Sequence, residues 1–277
     1  MTRRVIHVTI DSLRADACGF LSEGQDNTPT LSEISKNGVL FENAISPGPS
    51  TPESVPCFLT GSLNAFPFAQ SELKQKDQKS AVETGLHHYS LISELLEKDT
   101  FNTSAISSNP YVSADFGFSD FFSNFVEFTD TFPSSTIKQF PGGNTLLAKL
   151  LDYKESYNLW DTYWDSIQAE LDNESVDYLW IFLMDTHHPY FVPNEYRSQS
   201  LYKMFFSNII LHRKPELFDY NSNLRDWLLT SYSDAVSYVD SFFKKLLTNI
   251  DSNDILIIHS DHGETFGEYG IYGHKNQ

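Results

Sequence analysis

Cysteine is scarce in this chain, and positive charge is scarcer than negative. Cys18 and Cys57 are the only two cysteines among 277 residues, too few for a disulfide-stapled framework. Lys and Arg number 19 against 37 Asp and Glu, a formal net charge of −18. That balance argues against a nucleic-acid backbone or an anionic membrane surface as partner of the whole protein. Long apolar runs are also missing, since none approaches the roughly 20 residues of a membrane-spanning helix. The run after Met1-Thr2-Arg3-Arg4 ends at Ile10 and is broken by His7 and Thr9. It reads as a strand and not as a secretory leader. The expected location on these grounds is the cytoplasm.

What is present is a foldable core. Apolar residues make up 40% of the chain, with 22 Phe and 14 Tyr, which argues against disorder over most of the length. The length suits one α/β domain over residues 1–277. Strand-like runs fall at Val5–Ile10, Val39–Asn43, Asn102–Ser107, Val176–Met184 and Asp254–His259. Helical patterns lie between them at Thr30–Lys36, Pro52–Leu59, Tyr89–Lys98, Tyr157–Leu171 and Leu224–Thr248. This alternation predicts a mostly parallel central sheet with helices on both faces. The last helix carries Leu228, Leu229, Tyr232, Val236, Val239, Phe243, Leu246 and Leu247 at three-to-four spacing, a core stripe. Trp160 and Trp164 read as packing residues. The polar stretch Ser71–Glu83 reads as an exposed loop or lid edge, and the aromatic-rich Phe118–Gly143 as irregular chain suited to shaping a pocket.

Four short segments carry chemistry. Ser260-Asp261-His262-Gly263-Glu264 follows the last strand, placing a carboxylate beside an imidazole at a turn. In open α/β sheets ligands bind at the carboxyl ends of strands, and an oxygen–nitrogen pair suits a divalent cation such as zinc or manganese. Asp11 follows the first strand in the same way, as a second carboxylate or as a helix cap. Thr51-Pro52 marks a helix start, with Thr51 at the cap and Pro52 at the first helical position. Thr51 there is either a cap alone or an oxygen nucleophile beside the free N–H groups and positive dipole end of that helix. After the Val176–Met184 run comes Asp185-Thr186-His187-His188-Pro189-Tyr190. One of its histidines can serve as ligand, general acid or substrate-binding group, the other as a turn residue. Asp185 either orients His187 or a metal, or caps the turn. His87 and His88 read as surface residues.

Together these segments resemble the N-terminal domain of the sulfatase family, within the alkaline phosphatase superfamily. Asp11-Ser12-Leu13-Arg14-Ala15-Asp16 resembles the family's opening segment. Thr28-Pro29-Thr30-Leu31, Gly38-Val39-Leu40-Phe41-Glu42-Asn43-Ala44, Leu59-Thr60-Gly61 and His187-His188-Pro189-Tyr190 follow in the family's order. The Ser260–Glu264 block then closes with Gly273-His274-Lys275. The resemblance runs from Val5 to Lys275. It implies that Asp11, Asp261 and His262 surround a divalent ion (Mn, Zn, Mg or Ca) which Thr51 reaches as nucleophile. It further implies that His187 contacts substrate or protonates the leaving oxygen, that Lys275 holds the anionic head, and that His274 stands near it.

Two departures from the family qualify what it implies. Many sulfatases carry a second Asp where this chain has Ser12, so the site here is less negative and suits a transition metal. Formylglycine formation requires Cys or Ser, then Pro or Ala two places on and Arg four places on; this chain has Thr51, Glu53 and Val55. Cys57 stands too late and reads as a packed thiol. A threonine can still attack as an alkoxide if a metal lowers its pKa. That resembles the threonine-using branches of the superfamily, among them phosphodiesterases and membrane-lipid phosphoglycerol transferases. The expected activity is therefore hydrolysis or transfer of sulfate or phosphate esters, with a small anionic ester as substrate. Family members continue past the Gly-His-Lys segment with a smaller C-terminal subdomain, which this chain is expected to lack. The competing expectation is a truncated, inactive sulfatase-like remnant that binds an anion or a partner.

Overall fold

Short runs rich in β-branched and aromatic residues become the strands, and the sites of interest follow from how these are ordered. The computed structural model describes residues 3–22, 27–65, 75–128, 159–213, 217–218 and 222–273. Five strands, β1 (Val5–Ile10), β2 (Thr103–Ser107), β3 (Asn124–Glu127), β4 (Tyr178–Leu183) and β5 (Ile255–Ser260), form one sheet in the order β3-β2-β4-β1-β5. Every pairing is parallel, so all carboxyl ends lie along one edge. The helices are α1 (Pro29–Asn37), α2 (Thr51–Thr60), α3 (Gln75–His88), α4 (Ile92–Lys98), α5 (Trp164–Asp172), α6 (Leu201–Arg213) and α7 (Asn223–Leu246).

Both faces of the sheet are covered, and β4 shows how. Its odd residues Leu179, Ile181 and Leu183 pack in the cluster that holds Trp160, Trp164, Val236 and Phe243. Its even residues Tyr178, Trp180 and Phe182 pack in the cluster that holds Val55, Leu59, Val82 and Leu86. A strand buried on both faces needs apolar residues throughout, which is the pattern of parallel sheets. The α7 stripe lies in the first cluster, with Leu228, Tyr232, Val236, Val239, Phe243 and Leu246 all buried. Each such side chain contributes about 1.5–3 kcal/mol by leaving water. Trp160 stacks on Tyr238 and meets Phe242 edge-on, as packing residues do. Among the described residues no helix is long and apolar enough to cross a membrane.

The structure corrects several expectations. Val39–Asn43 is not a strand: no ladder pairs it, and the Ala44 N–H turns back to the Phe41 carbonyl. An apolar run needs a neighbouring strand as well as the right residues, and Val39 and Phe41 here are 82% and 78% exposed. The polar stretch from Gln75 onward is helical, as α3, and buries Ala81, Val82 and Leu86. The helix expected over Tyr89–Lys98 begins at Ile92, where the Glu94 carboxylate accepts the Leu91 N–H at 2.9 Å. Phe118–Gly143 is described only to Phe128 and contributes β3, while the helix α6 carries no strong apolar period and was not expected.

Candidate active site

The edge where β1, β4 and β5 end brings together the acidic and imidazole groups. Asp11 follows β1 directly, its N–H donating to the Leu183 carbonyl at 2.8 Å. Asp261 and His262 follow β5. All three side chains are buried, and one ligand atom from each lies within 4.8 Å of the others. The His262 ring donates from Nδ1 to the Gly263 carbonyl at 2.8 Å. That bond fixes the tautomer and aims the Nε2 lone pair at the carboxylates. Nε2 stands 3.5 Å from Asp11 Oδ1 and 3.4 Å from Asp261 Oδ2.

Electrostatics asks for a cation at this point. Burial pushes the Asp261 carboxyl well above its usual range, and the Asp11 charge pushes the same way. The Ser12 and His262 N–H groups, both donating to Asp261 Oδ1, oppose the shift. Among the described residues, buried Asp261 Oδ2 has no hydrogen-bond donor at bonding distance, although the Thr51 hydroxyl nearby also favours its charged form. A buried carboxylate oxygen left in that state is costly. Two carboxylates and one imidazole, converging on an orphaned oxygen, fit a divalent ion of the zinc or manganese type.

Thr51 opens α2 beside this cluster. Ser50, not Thr51, is the cap residue: its backbone is extended, and its carbonyl accepts the N–H groups of Glu53 and Ser54. Thr51 is thus the first helical residue, which leaves its hydroxyl uncommitted to capping. That hydroxyl donates to Asp11 Oδ2 at 3.3 Å and stands 3.4 Å from His262 Nε2. The preceding loop is pinned by Ser54, whose hydroxyl bonds to both the N–H and the carbonyl of Gly48. Ser46 donates to the Asp261 carbonyl, tying the same loop to the end of β5. Cys57 is a buried thiol whose Sγ donates to the Glu53 carbonyl at 3.2 Å.

Asn109, just past β2, was not singled out from the sequence. Its Nδ2 donates to Asp11 Oδ2 at 2.6 Å and lies 3.3 Å from Thr51 Oγ1. The signal was available, since Asn109 too follows a strand and precedes a proline.

The segment after β4 divides its polar residues. The Thr186 hydroxyl donates to the Asp11 carbonyl. His187 is half-buried, with Nδ1 donating to the His188 carbonyl at 2.6 Å. His188 is anchored to α6, through Nε2 to the Asn208 carbonyl at 3.2 Å. Asp185 neither orients His187 nor joins the cluster: Oδ1 accepts the Trp160 N–H at 3.0 Å. Tyr190 donates to Glu264 Oε2 at 2.9 Å, joining this segment to the one after β5. His274 and Lys275 lie outside the described residues.

Comparison with known proteins bears on the family and the fold. The sulfatase family model matches residues 3–277, and the chain belongs to that family. The fold is that of the alkaline phosphatase superfamily. Among solved structures, the soluble domain of lipooligosaccharide phosphoethanolamine transferase A from Neisseria meningitidis matches with TM-score 0.60 and 20% identity, over 100% of this chain and 71% of that one. The C-terminal periplasmic domain of EcEptC from Escherichia coli, in complex with Zn, matches with TM-score 0.65 and 15% identity, over 99% and 68%. The phosphonate monoester hydrolase of Agrobacterium radiobacter matches with TM-score 0.63 and 11% identity, over 98% and 65%. Comparison with curated protein sequences gives no match.

Proposed function

We infer that this chain is a metal-dependent phosphoryl transferase or hydrolase with Thr51 as nucleophile. The observation that carries the reading is the Thr51 hydroxyl, 3.3 Å from Asp11 Oδ2 and 3.4 Å from His262 Nε2 at a helix N-terminus. A divalent ion held by Asp11, Asp261 and His262 would lower the pKa of that hydroxyl and offset charge on the substrate. The family's formylglycine chemistry cannot start from threonine, which favours phosphate over sulfate esters. A phosphoethanolamine transferase and a phosphonate monoester hydrolase among the structural relatives support the same choice.

The reaction proceeds by two displacements. Thr51 Oγ1 attacks phosphorus in line with the leaving oxygen, its proton passing toward Asp11. The ester P–O bond breaks, and the departing alcohol takes a proton from His187, the role that the family resemblance assigns. The Thr51 N–H at the start of α2 and the Asn109 amide face the non-bridging oxygens, and the family resemblance adds Lys275 as the cation that offsets their charge. Water or an acceptor alcohol then attacks the phosphothreonine and restores the Thr51 hydroxyl.

The test offers aryl phosphodiesters, phosphate monoesters and sulfates to the 277-residue chain with Mn²⁺ or Zn²⁺. Phosphodiester turnover is expected, reduced on the order of a thousandfold or more in Thr51→Ala and partly retained in Thr51→Ser. Turnover of sulfates alone, or full activity in Thr51→Ala, would overturn the reading.

A further inference from the structure

Ser12 stands between the two carboxylates in a conformation that serine avoids. Its φ is +59°, in the left-handed region, which costs a residue with a Cβ roughly 1–2 kcal/mol. Strain of this kind persists where surrounding contacts over-determine it. The fully buried Ser12 has three such contacts. Its N–H donates to Asp261 Oδ1 at 3.2 Å, and its hydroxyl donates to Asp11 Oδ1 at 2.8 Å. Its carbonyl accepts the Tyr232 hydroxyl at 2.8 Å. That phenol, kept protonated by burial, also accepts the Arg14 N–H at 2.8 Å. Tyr232 therefore pins both sides of the turn from α7.

The consequence concerns the geometry of the cation site. Asp11 belongs to the end of β1 and Asp261 to the end of β5, and neither strand alone sets how the two carboxylates rotate. One residue bonds to an oxygen of each. With Oδ1 of Asp261 occupied by two N–H donors, its Oδ2 is turned toward His262 Nε2. We propose that Ser12 is a positioning residue for the cation: the left-handed backbone and the hydroxyl together lock both carboxylates in ligating orientation. The inference rests on the metal-dependent reading above and deepens it. Residues that orient metal ligands typically change affinity by about 10–100-fold when removed.

The experiment titrates Mn²⁺ and Zn²⁺ calorimetrically into the whole chain and into Ser12→Gly and Ser12→Ala. It also records the thermal midpoint of each metal-free protein. Glycine accepts φ near +59° without strain, so Ser12→Gly folds and keeps the N–H bond to Asp261 while losing the hydroxyl. The expected result is cation affinity about tenfold or more weaker in both variants, with the metal-free midpoint of Ser12→Gly unchanged or higher. A merely structural role would not separate binding from stability in that way. Affinities within about twofold of the parent would overturn the assignment of Ser12 while leaving the metal reading intact. A parent chain that binds neither ion would overturn both.

Discussion

Asn109 reaches across the end of β4 to hold Asp11, its Nδ2 donating to Oδ2 at 2.6 Å, although β2 and β1 are not neighbours in the sheet. The amide orientation is set from the other side, because Asn109 Oδ1 accepts the Tyr111 N–H at 2.7 Å. The NH₂ group must therefore face Asp11 and Thr51. Replacing it with Asn109→Ala is expected to lower kcat/KM on the order of a hundredfold, as loss of one preorganised donor does. Asn109→Asp has nearly the same shape but adds a third carboxylate to the cluster, and should fall below Asn109→Ala. Phosphodiesterase kinetics on both variants checks the order.

Metal removal should be visible without any substrate. An ion that binds the folded chain only, present at a hundred times its Kd, adds about 2.7 kcal/mol of stability. Thermal unfolding with Mn²⁺ or Zn²⁺ should thus show a higher midpoint that a chelator reverses. Asp261→Asn removes a charge that burial and Asp11 both oppose, so the metal-free variant should be at least as stable as the parent. The same variant should lose the metal-induced rise.

Those side chains were legible because each follows a strand whose apolar run is unmistakable. β1 matches its expected bounds, and β4 and β5 depart from theirs by one or two residues. The convergence of Asp11, Asp261 and His262 follows once a parallel sheet aligns its carboxyl ends, and Thr51 joins them from the start of α2. Other features depended on neighbours that a sequence does not display. Val39, Leu40 and Phe41 have strand-like chemistry, yet a strand needs a ladder. α3 hides its short apolar face, Ala81, Val82 and Leu86, in a run of Lys, Gln and Ser. β3 is an edge strand of four residues, exposed at Asn124 and Glu127 and half-buried at Phe125 and Val126, without alternation. Ser12 and Asn109 matter through bonds to residues 249 and 98 positions away, respectively.

A buried histidine pair under α2 predicts an acid sensitivity. The Tyr178 phenol, held protonated by burial, donates to His7 Nδ1 at 2.7 Å. His7 then carries its proton on Nε2 and donates to His259 Nε2 at 2.7 Å, while His259 donates from Nδ1 to the Ser260 carbonyl. Burial, helped by His259, lowers the His7 pKa to about 3 from 6.5. Above pH 6.5 neither the folded nor the unfolded chain protonates this ring. As pH falls below that value the unfolded chain takes a proton that the folded one refuses, and stability drops by about 1.4 kcal/mol per unit toward pH 3. His7→Gln removes this slope. Denaturant melts between pH 6 and pH 4 should show the gap between parent and variant narrowing as pH falls; parallel curves would refute the account.

Asp185 predicts a loss of stability in the other direction. Burial raises its carboxyl to about 7, against the lowering effect of the Trp160 N–H, and Oδ2 has no hydrogen-bond partner. The folded pKa lies above the unfolded 3.8, so stability is fully retained below that value and declines as pH rises toward 7. The full decline is on the order of 4 kcal/mol. Asp185→Asn keeps an acceptor for Trp160 and cannot ionise. Its advantage over the parent should grow from pH 4 to pH 7 and then level off, as read by chemical denaturation at each pH.

Two glycines near α2 are required for different reasons, and substitution should tell them apart. Gly61 ends α2 with φ +65°, and a Cβ there would meet nothing within 4 Å. Gly61→Ala should therefore cost only the left-handed penalty, about 1 kcal/mol. Gly85 lies within α3, where a Cβ would come within 1.7 Å of the Ala65 carbonyl oxygen. That oxygen is backbone and cannot rotate away, so Gly85→Ala must push α3 from the turn that follows α2. Overpacking of this kind costs about 1–3 kcal/mol or more, and the larger loss is expected at Gly85. Because α2 carries Thr51 at its opposite end, the displacement should also raise KM. Urea unfolding and steady-state kinetics on the two variants measure both effects, and a Gly85→Ala protein as stable as Gly61→Ala would show that α3 does not press on Ala65.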